Sequence, residues 1–247
     1  MKPILLIPAR LAATRLPAKP LADIAGVPMI VRVVRQAMAA ELGPVVVAAG
    51  DREIVSVVEA AGGNAVLTDP ALPSGSDRIH AALQALDPDG RHDVAVNLQG
   101  DLPALEPAQI RAVVSALEES GADIATLAAE IIDPAEHDNP NVVKAVVAWG
   151  PGGRLGRALY FTRATAPTGD GPLFHHVGIY AYRCAALARF VGLPPSPLEK
   201  REKLEQLRAL EANMSIAVAR VDSVPLSVDT EADLAKANQF FARKFAS

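Results

Sequence analysis

The chain has 247 residues, half of them hydrophobic, which is enough for one large α/β domain with a sizeable core. Its formal net charge of −4 argues against non-specific binding to nucleic acid or to an anionic membrane. Cys184 is the single cysteine, which excludes an intrachain disulfide, and no apolar run approaches the roughly 20 residues of a membrane span. The opening apolar run is too short for a signal peptide and is cut off by Arg10, so a cytoplasmic location is expected.

Residues 4–7 (Ile-Leu-Leu-Ile) read as a buried strand. The strand leads into a loop that carries Arg10, Arg15 and Lys19 and is punctuated by Pro8, Pro17 and Pro20. Two arginines grip phosphate oxygens bidentately and a lysine supplies a point charge, so three cations within ten residues point to a polyanion. A solvated basic loop is the alternative. The prolines favour binding, because a stiff backbone loses less entropy when it takes a ligand.

Residues 28–41 have helical periodicity, 44–49 read as a buried strand, and 51–61 as a helix closed by Gly62-Gly63. A short strand at 65–68 precedes a helix capped by Ser76 and running to about Leu86. Residues 94–99 form another strand and 107–120 another helix. Alternating helices and near-continuous apolar strands describe a mostly parallel sheet flanked by helices. Further on, 124–130, 142–148, 157–163 and 177–183 read as strands with no helices between them. This β-rich insertion, at about 124–183, either covers a site or forms a dimer surface. Ser196 and Glu199 start a long helix with a capping box; Glu205-Gln206 lies late in it. Residues 216–221 are a last strand, and Thr230 caps the final helix. No linker stands out, so the expectation is a single domain over 1–247 with that insertion.

Asp101, in Gln99-Gly100-Asp101, sits just past a buried strand, where ligands of open α/β sheets bind. If Thr230 is a helix cap, the carboxylate of Asp229 is not needed for capping. Each aspartate alone also reads as a turn residue. Together they would suit Mg²⁺, which takes one or two carboxylates plus phosphate oxygens and keeps several waters. Ser74-Gly75-Ser76-Asp77-Arg78 reads either as an ordinary N-cap or as amides open to an anion. Arg163 follows a strand and suits a carboxylate or phosphate. His176 and Tyr180 are four residues apart and share a strand face. His175-His176 lacks a spaced third ligand, which speaks against zinc.

These pieces resemble, in order, the motifs of the 3-deoxy-manno-octulosonate (Kdo) cytidylyltransferases. They are P-A-R-x-x-x-T-R-L-P-x-K-P-L, P-S-G-S-D-R-I, V-N-L-Q-G-D-L-P, N-P-N-V-V-K-A-V, A-L-Y-F-T-R-A-T-A-P, H-H-V-G-I-Y-A-Y-R, P-S-P-L-E-x-x-E-K-L-E-Q-L-R-A-L and S-V-D-T-E-A-D-L. The resemblance implies a GT-A-like nucleotidyltransferase fold, Mg²⁺ dependence, a homodimer, and a place in lipopolysaccharide synthesis in a Gram-negative bacterium. It implies transfer of CMP from CTP to the anomeric hydroxyl of Kdo, with pyrophosphate leaving. Arg10, Arg15 and Lys19 fall at the CTP phosphates and, with Asp101, form the implied catalytic set. Ser74, Gly75, Arg78 and Gln99 fall around the nucleotide, Gln99 also near the sugar. Asp101 and Asp229 match the metal ligands. Arg163, His176, Tyr180, Glu205 and Gln206 match the sugar pocket. The chain departs from the pattern in four places. Ala13 and Ala18 replace serine and glycine, Ala49-Gly50 replaces Thr-Asp, and Leu102 replaces glutamate. An 8-amino relative of Kdo stays open as the sugar, and no general base stands out.

Overall fold

The computed structural model describes residues 1–12 and 16–245, so Ala13 and Arg15 lie outside the described residues. The chain opens with β1 (Pro3–Ala9), β2 (Asp23–Ile24), β3 (Val27–Pro28), α1 (Met29–Ala39), β4 (Val45–Ala49), α2 (Arg52–Ala60), β5 (Asn64–Leu67), α3 (Gly75–Leu86), β6 (Val94–Asn97) and α4 (Pro107–Ser120). It continues with β7 (Ile124–Glu130), β8 (Lys144–Trp149), β9 (Leu155–Thr162), β10 (Phe174–Arg183), α5 (Cys184–Val191), α6 (Pro197–Glu202), α7 (Gln206–Glu211), β11 (Ile216–Val221) and α8 (Glu231–Phe245). Two compact units result: Lys2–Ile110 with Pro225–Ser247, and Met1 with Arg111–Val224.

In the first unit the strands run β5-β4-β1-β6, all parallel. Leu5, Leu6 and Ile7 of β1 and Val47, Ala48 and Ala49 of β4 have no exposed surface. Strands covered on both faces need apolar side chains at every position, which is why these runs do not alternate. Helices α1 and α2 pack on β4, and α3 on β1. The cap of α3 is Ser74, two residues before the expected Ser76. The Ser74 hydroxyl accepts the Asp77 N–H at 3.2 Å, while Ser76 is buried inside the first turn. The S-x-x-D spacing that starts at Ser74 satisfies a free amide of the helix start, which Ser76 cannot do from within it.

In the second unit the order is β10-β7-β11-β9-β8. Strands β7 and β11 are parallel, and the other pairings are antiparallel. The expected β-rich stretch falls in this unit, but its sheet is not completed within 124–183, because β11 lies between β7 and β9. The long helix expected from Pro197 is two short ones. Helix α6 ends at Glu202, Lys203 takes the left-handed conformation (φ 56°), and α7 begins at Gln206. Leu204 is buried in the corner between them. No glycine or proline marks this break, so the helical spacing of the apolar residues reads straight through it.

Candidate active site

In the first unit, an apolar cluster gathers residues from both ends of the chain. Leu16, Ile24 and Met29 pack with Val228, Ala237 and Phe241. Leu16 is three residues before Lys19, and Val228 immediately precedes Asp229, so burying the cluster brings those two polar side chains together. The Val228 N–H also donates to the carbonyl of Asp101 at 3.0 Å, which ties the two aspartate segments side by side. The result is a triad: Lys19 Nζ lies 2.8 Å from Asp101 Oδ2 and 2.9 Å from Asp229 Oδ1. Thr230 caps α8 by exchanging bonds with Asp233, which leaves the Asp229 carboxylate turned to Lys19. Burial alone would make Lys19 easier to deprotonate. The charges and hydrogen bonds of Asp101 and Asp229 outweigh it and raise the lysine above its ordinary value. Lys19, which the family resemblance places at the CTP phosphates, is here the counter-ion of both aspartates.

Lys19 opens a turn whose preceding residue, Ala18, has φ 51° and ψ 31°. That left-handed conformation costs an L-residue with a Cβ about 1–2 kcal/mol. Upstream, the Leu11 N–H donates to Asp51 Oδ2 at 2.7 Å, so Asp51 anchors the start of the cationic loop.

Beside that loop, a cleft of about 130 Å³ is lined by Pro8, Arg10, Ser74, Gly75, Arg78 and Gln99 among others. Five residues singled out from the sequence therefore share one cavity. Gly75 has a local reason: a Cβ there would come within 3.3 Å of Pro8. The guanidinium of Arg78 is buried and donates to Thr68 Oγ1 at 2.6 Å and to the carbonyl of Asp69 at 3.1 Å. Burial, and then the neighbouring Arg10, push it below the ordinary arginine value. Two cations and the first amides of α3 make the cleft suitable for an anion.

In the second unit, His176 and Tyr180 do share a face, with ring centroids 5.5 Å apart. A regular strand would separate residues four apart by about 13 Å. The irregular pairing of β10 between Val177 and Tyr180 draws them together. Thr126 sits beneath this irregularity. Its hydroxyl is 2.8 Å from the carbonyl of Ile179 and 3.0 Å from His176 Nε2. The hydroxyl has one proton, and spending it on the carbonyl makes Oγ1 the acceptor of a His176 Nε2–H. The Nδ1 lone pair is then the acceptor that His176 presents. Burial, and then His175, lower the His176 pKa to about 3, so the ring is neutral at physiological pH. Burial, reinforced by Tyr182 and Glu205, raises Tyr180, which keeps its hydroxyl proton. Gln206 is buried at the first position of α7, and Glu205 immediately precedes it. Arg208 of α7 grips Glu199 of α6 through Nε and Nη2, fixing the two helices to each other. Arg163, at the end of β9, donates from Nε to the carbonyl of Glu202 at 2.8 Å.

A family model described as cytidylyltransferase matches residues 4–216. A 3-deoxy-manno-octulosonate cytidylyltransferase of Rhodospirillum centenum is 66% identical over 95% of this chain and 91% of its own length. The chain belongs to the 3-deoxy-manno-octulosonate cytidylyltransferase family. The enzyme of that name from Parvibaculum lavamentivorans is 65% identical over 98% of the chain and 93% of its own length. The solved structure of a CMP:2-keto-3-deoxy-manno-octonic acid synthetase complexed with CTP is 35% identical, with a TM-score of 0.91 over 99% of this chain and 100% of that one. A UTP-bound UGPase from Acinetobacter baumannii, at 15% identity and a TM-score of 0.70, shares the fold.

As a member of the Kdo cytidylyltransferase family, the chain accommodates its departures locally. A Cβ at Gly50 would come within 3.0 Å of Arg78 Nη1 and 3.2 Å of the Arg10 side chain. The carboxylate that follows, on Asp51, serves the loop backbone. Leu102 is buried in the core. Reading the sequence missed Asp51, Thr126 and Glu202. The two glutamates of P-S-P-L-E-x-x-E were the available signal for Glu202, three residues from a capping glutamate. Asp51 and Thr126 carry no local signal, since their partners are far away in sequence.

Proposed function

We propose that this chain transfers CMP from CTP to the anomeric hydroxyl of Kdo, giving CMP-Kdo and pyrophosphate. The observation that carries the reading is the identity of 60–66% over nearly the whole chain to enzymes of this name, with the aspartate–lysine triad intact. Arg10, with Arg15 of the same loop, stabilises the phosphate charge that grows as pyrophosphate departs. The cleft at Ser74, Gly75, Arg78 and Gln99 takes the nucleotide. Arg163 meets the sugar carboxylate. The His176 Nδ1 acceptor, the Tyr180 hydroxyl, Glu205 and Gln206 offer hydrogen bonds to sugar hydroxyls. The buried His176, Tyr180 and Gln206 discriminate well, because an analogue that leaves them unpaired loses affinity steeply.

Asp101 and Asp229 fit a hard divalent cation, since their carboxylates already converge on one positive charge and carboxylate oxygens are the ligands Mg²⁺ prefers. Among the described residues no three His, Cys, Asp or Glu side chains cluster for a metal, which suits an ion completed by substrate phosphate and water. Bound Mg²⁺ would neutralise triphosphate charge and lower the pKa of a coordinated hydroxyl. Lys19 would occupy the two carboxylates until metal and substrate enter.

The enzyme acts as a homodimer in the cytoplasm, within lipopolysaccharide synthesis. Ile132, 80% exposed, and Leu159, 48% exposed, support a dimer surface in the β-rich stretch. No helix among the described residues is long and apolar enough to cross a membrane. The test is pyrophosphate release with CTP, UTP, ATP and GTP, each with and without Kdo and its 8-amino relative. CTP-specific release that requires sugar supports the proposal, and release that ignores the sugar rejects it.

A further inference from the structure

Glu202 carries none of the roles proposed above, yet its side chain gathers Tyr160, Thr162 and Arg163. It ends α6, just before the left-handed Lys203 and the start of α7. Its carboxylate accepts from Thr162 Oγ1 at 2.8 Å, from the Arg163 backbone N–H at 3.0 Å and from the Tyr160 hydroxyl at 3.4 Å. Its carbonyl accepts from Arg163 Nε at 2.8 Å. One residue thus clamps the end of β9 through both its side chain and its backbone.

The clamp leaves Arg163 half used. Nε is held by Glu202, and Nη1 donates to the carbonyl of Pro140 at 2.9 Å. Those two bonds fix the plane of the guanidinium. Among the described residues, Nη2 makes no hydrogen bond. A guanidinium carries five N–H groups in a rigid fork, so fixing two of them aims the remainder. Lys144 steadies the other side of the same loop. Its buried Nζ donates to the carbonyl of Asn139 at 2.7 Å.

We propose that Glu202 is a positioning residue for the acidic sugar, its carboxylate anchoring the backbone at Arg163 while its carbonyl holds the Arg163 Nε. The inference rests on the Kdo-binding reading given above. Glu202 touches no substrate. Its carboxylate acts by fixing the backbone from which the Arg163 side chain projects, so that less freedom is lost when the guanidinium binds a carboxylate.

The test measures KM for Kdo, KM for CTP, kcat and Tm in the full chain with Mg²⁺. It compares wild type with Glu202→Ala, Glu202→Gln, Arg163→Ala and the Glu202→Ala/Arg163→Ala double variant. Glu202→Ala is expected to raise KM for Kdo about tenfold while KM for CTP stays within about twofold. Both variants keep the backbone carbonyl that holds Arg163 Nε, and Glu202→Gln also keeps one carbonyl-type acceptor for the end of β9, so it recovers part of that loss. If Glu202 acts through Arg163, adding Glu202→Ala to Arg163→Ala costs less than about a further twofold. Full additivity, or equal rises in KM for Kdo and CTP, overturns the inference. So does a Glu202→Gln protein with wild-type Tm and wild-type KM for Kdo, even if Glu202→Ala does not fold. Wild-type protein without Kdo-dependent turnover overturns the activity reading itself, and this inference with it, before any variant is compared.

Discussion

Replacing Lys19 by methionine keeps most of the side-chain volume and removes the charge shared by Asp101 and Asp229. The structure sets the size of the effect. Two contacts at 2.8 and 2.9 Å are lost. The lysine side chain is 20% exposed and its partners 28% and 37%, so solvent screens both pairs. Taking each at the upper end of the range for exposed pairs gives about 2 kcal/mol. For a chain of this length, that lowers Tm by about 4–8 °C. The pH dependence identifies the contact. Lys19 is raised above 10.5 in the folded protein, so its contribution is fully present below pH 10.5 and fades as pH climbs through the folded value. Thermal unfolding of wild type and Lys19→Met between pH 7 and 11.5 should therefore give curves that are separated at neutral pH and converge at the alkaline end. Mg²⁺ should raise the Tm of the variant more than that of wild type, because the metal would then no longer compete with the Lys19 charge at the two carboxylates. Equal Tm values at neutral pH, or a gap that does not narrow as pH rises above 10.5, would refute the triad.

Asp101→Asn should fold normally and lose turnover by about a hundredfold or more, since a neutral amide is a poor ligand for a hard cation; steady-state kinetics across a Mg²⁺ titration check this. Ala18→Gly should stabilise the chain by about 1 kcal/mol, because glycine takes the left-handed conformation without a Cβ penalty; a lower Tm in that variant would count against the loop geometry. His176 is neutral when folded, with a pKa of about 3 against 6.5 for the free side chain. The unfolded chain therefore binds one more proton between those values, and stability should fall by up to about 1.4 kcal/mol per pH unit on acidification below 6.5. His176→Gln should flatten that slope in denaturant titrations. The same substitution should raise KM for Kdo, whereas Arg10→Ala should impair the use of CTP.

Much of the first unit is legible in the sequence because its signals are local. The continuous apolar runs of β1 and β4 declare strands buried on both faces, and the Arg52–Ala60 helix is closed by its own stop signal, Gly62-Gly63. The aspartates at strand and helix boundaries could be picked out for the same reason. Partnership is harder to read. That Lys19 spans Asp101 and Asp229 depends on packing Leu16 against Val228, more than 200 residues away, and no spacing rule encodes that contact. The break at Lys203 is invisible because burying Leu204, and not a glycine or proline, decides it. The approach of His176 to Tyr180 depends on an irregular pairing in β10, where Thr126 donates from another strand to the carbonyl of Ile179. Glu202 looks like a solvated helix residue until β9 is seen to end against it.

The central claim, transfer of CMP to the sugar, is tested most directly by following the phosphorus atoms of CTP. Protein, Mg²⁺, Kdo and CTP labelled at either the α or the γ position are incubated, and the products are separated. Transfer through attack on the α-phosphorus predicts that α label appears in CMP-Kdo and γ label in pyrophosphate, both only when Kdo is present. Release of γ label as orthophosphate, or of α label as free CMP regardless of Kdo, would contradict it.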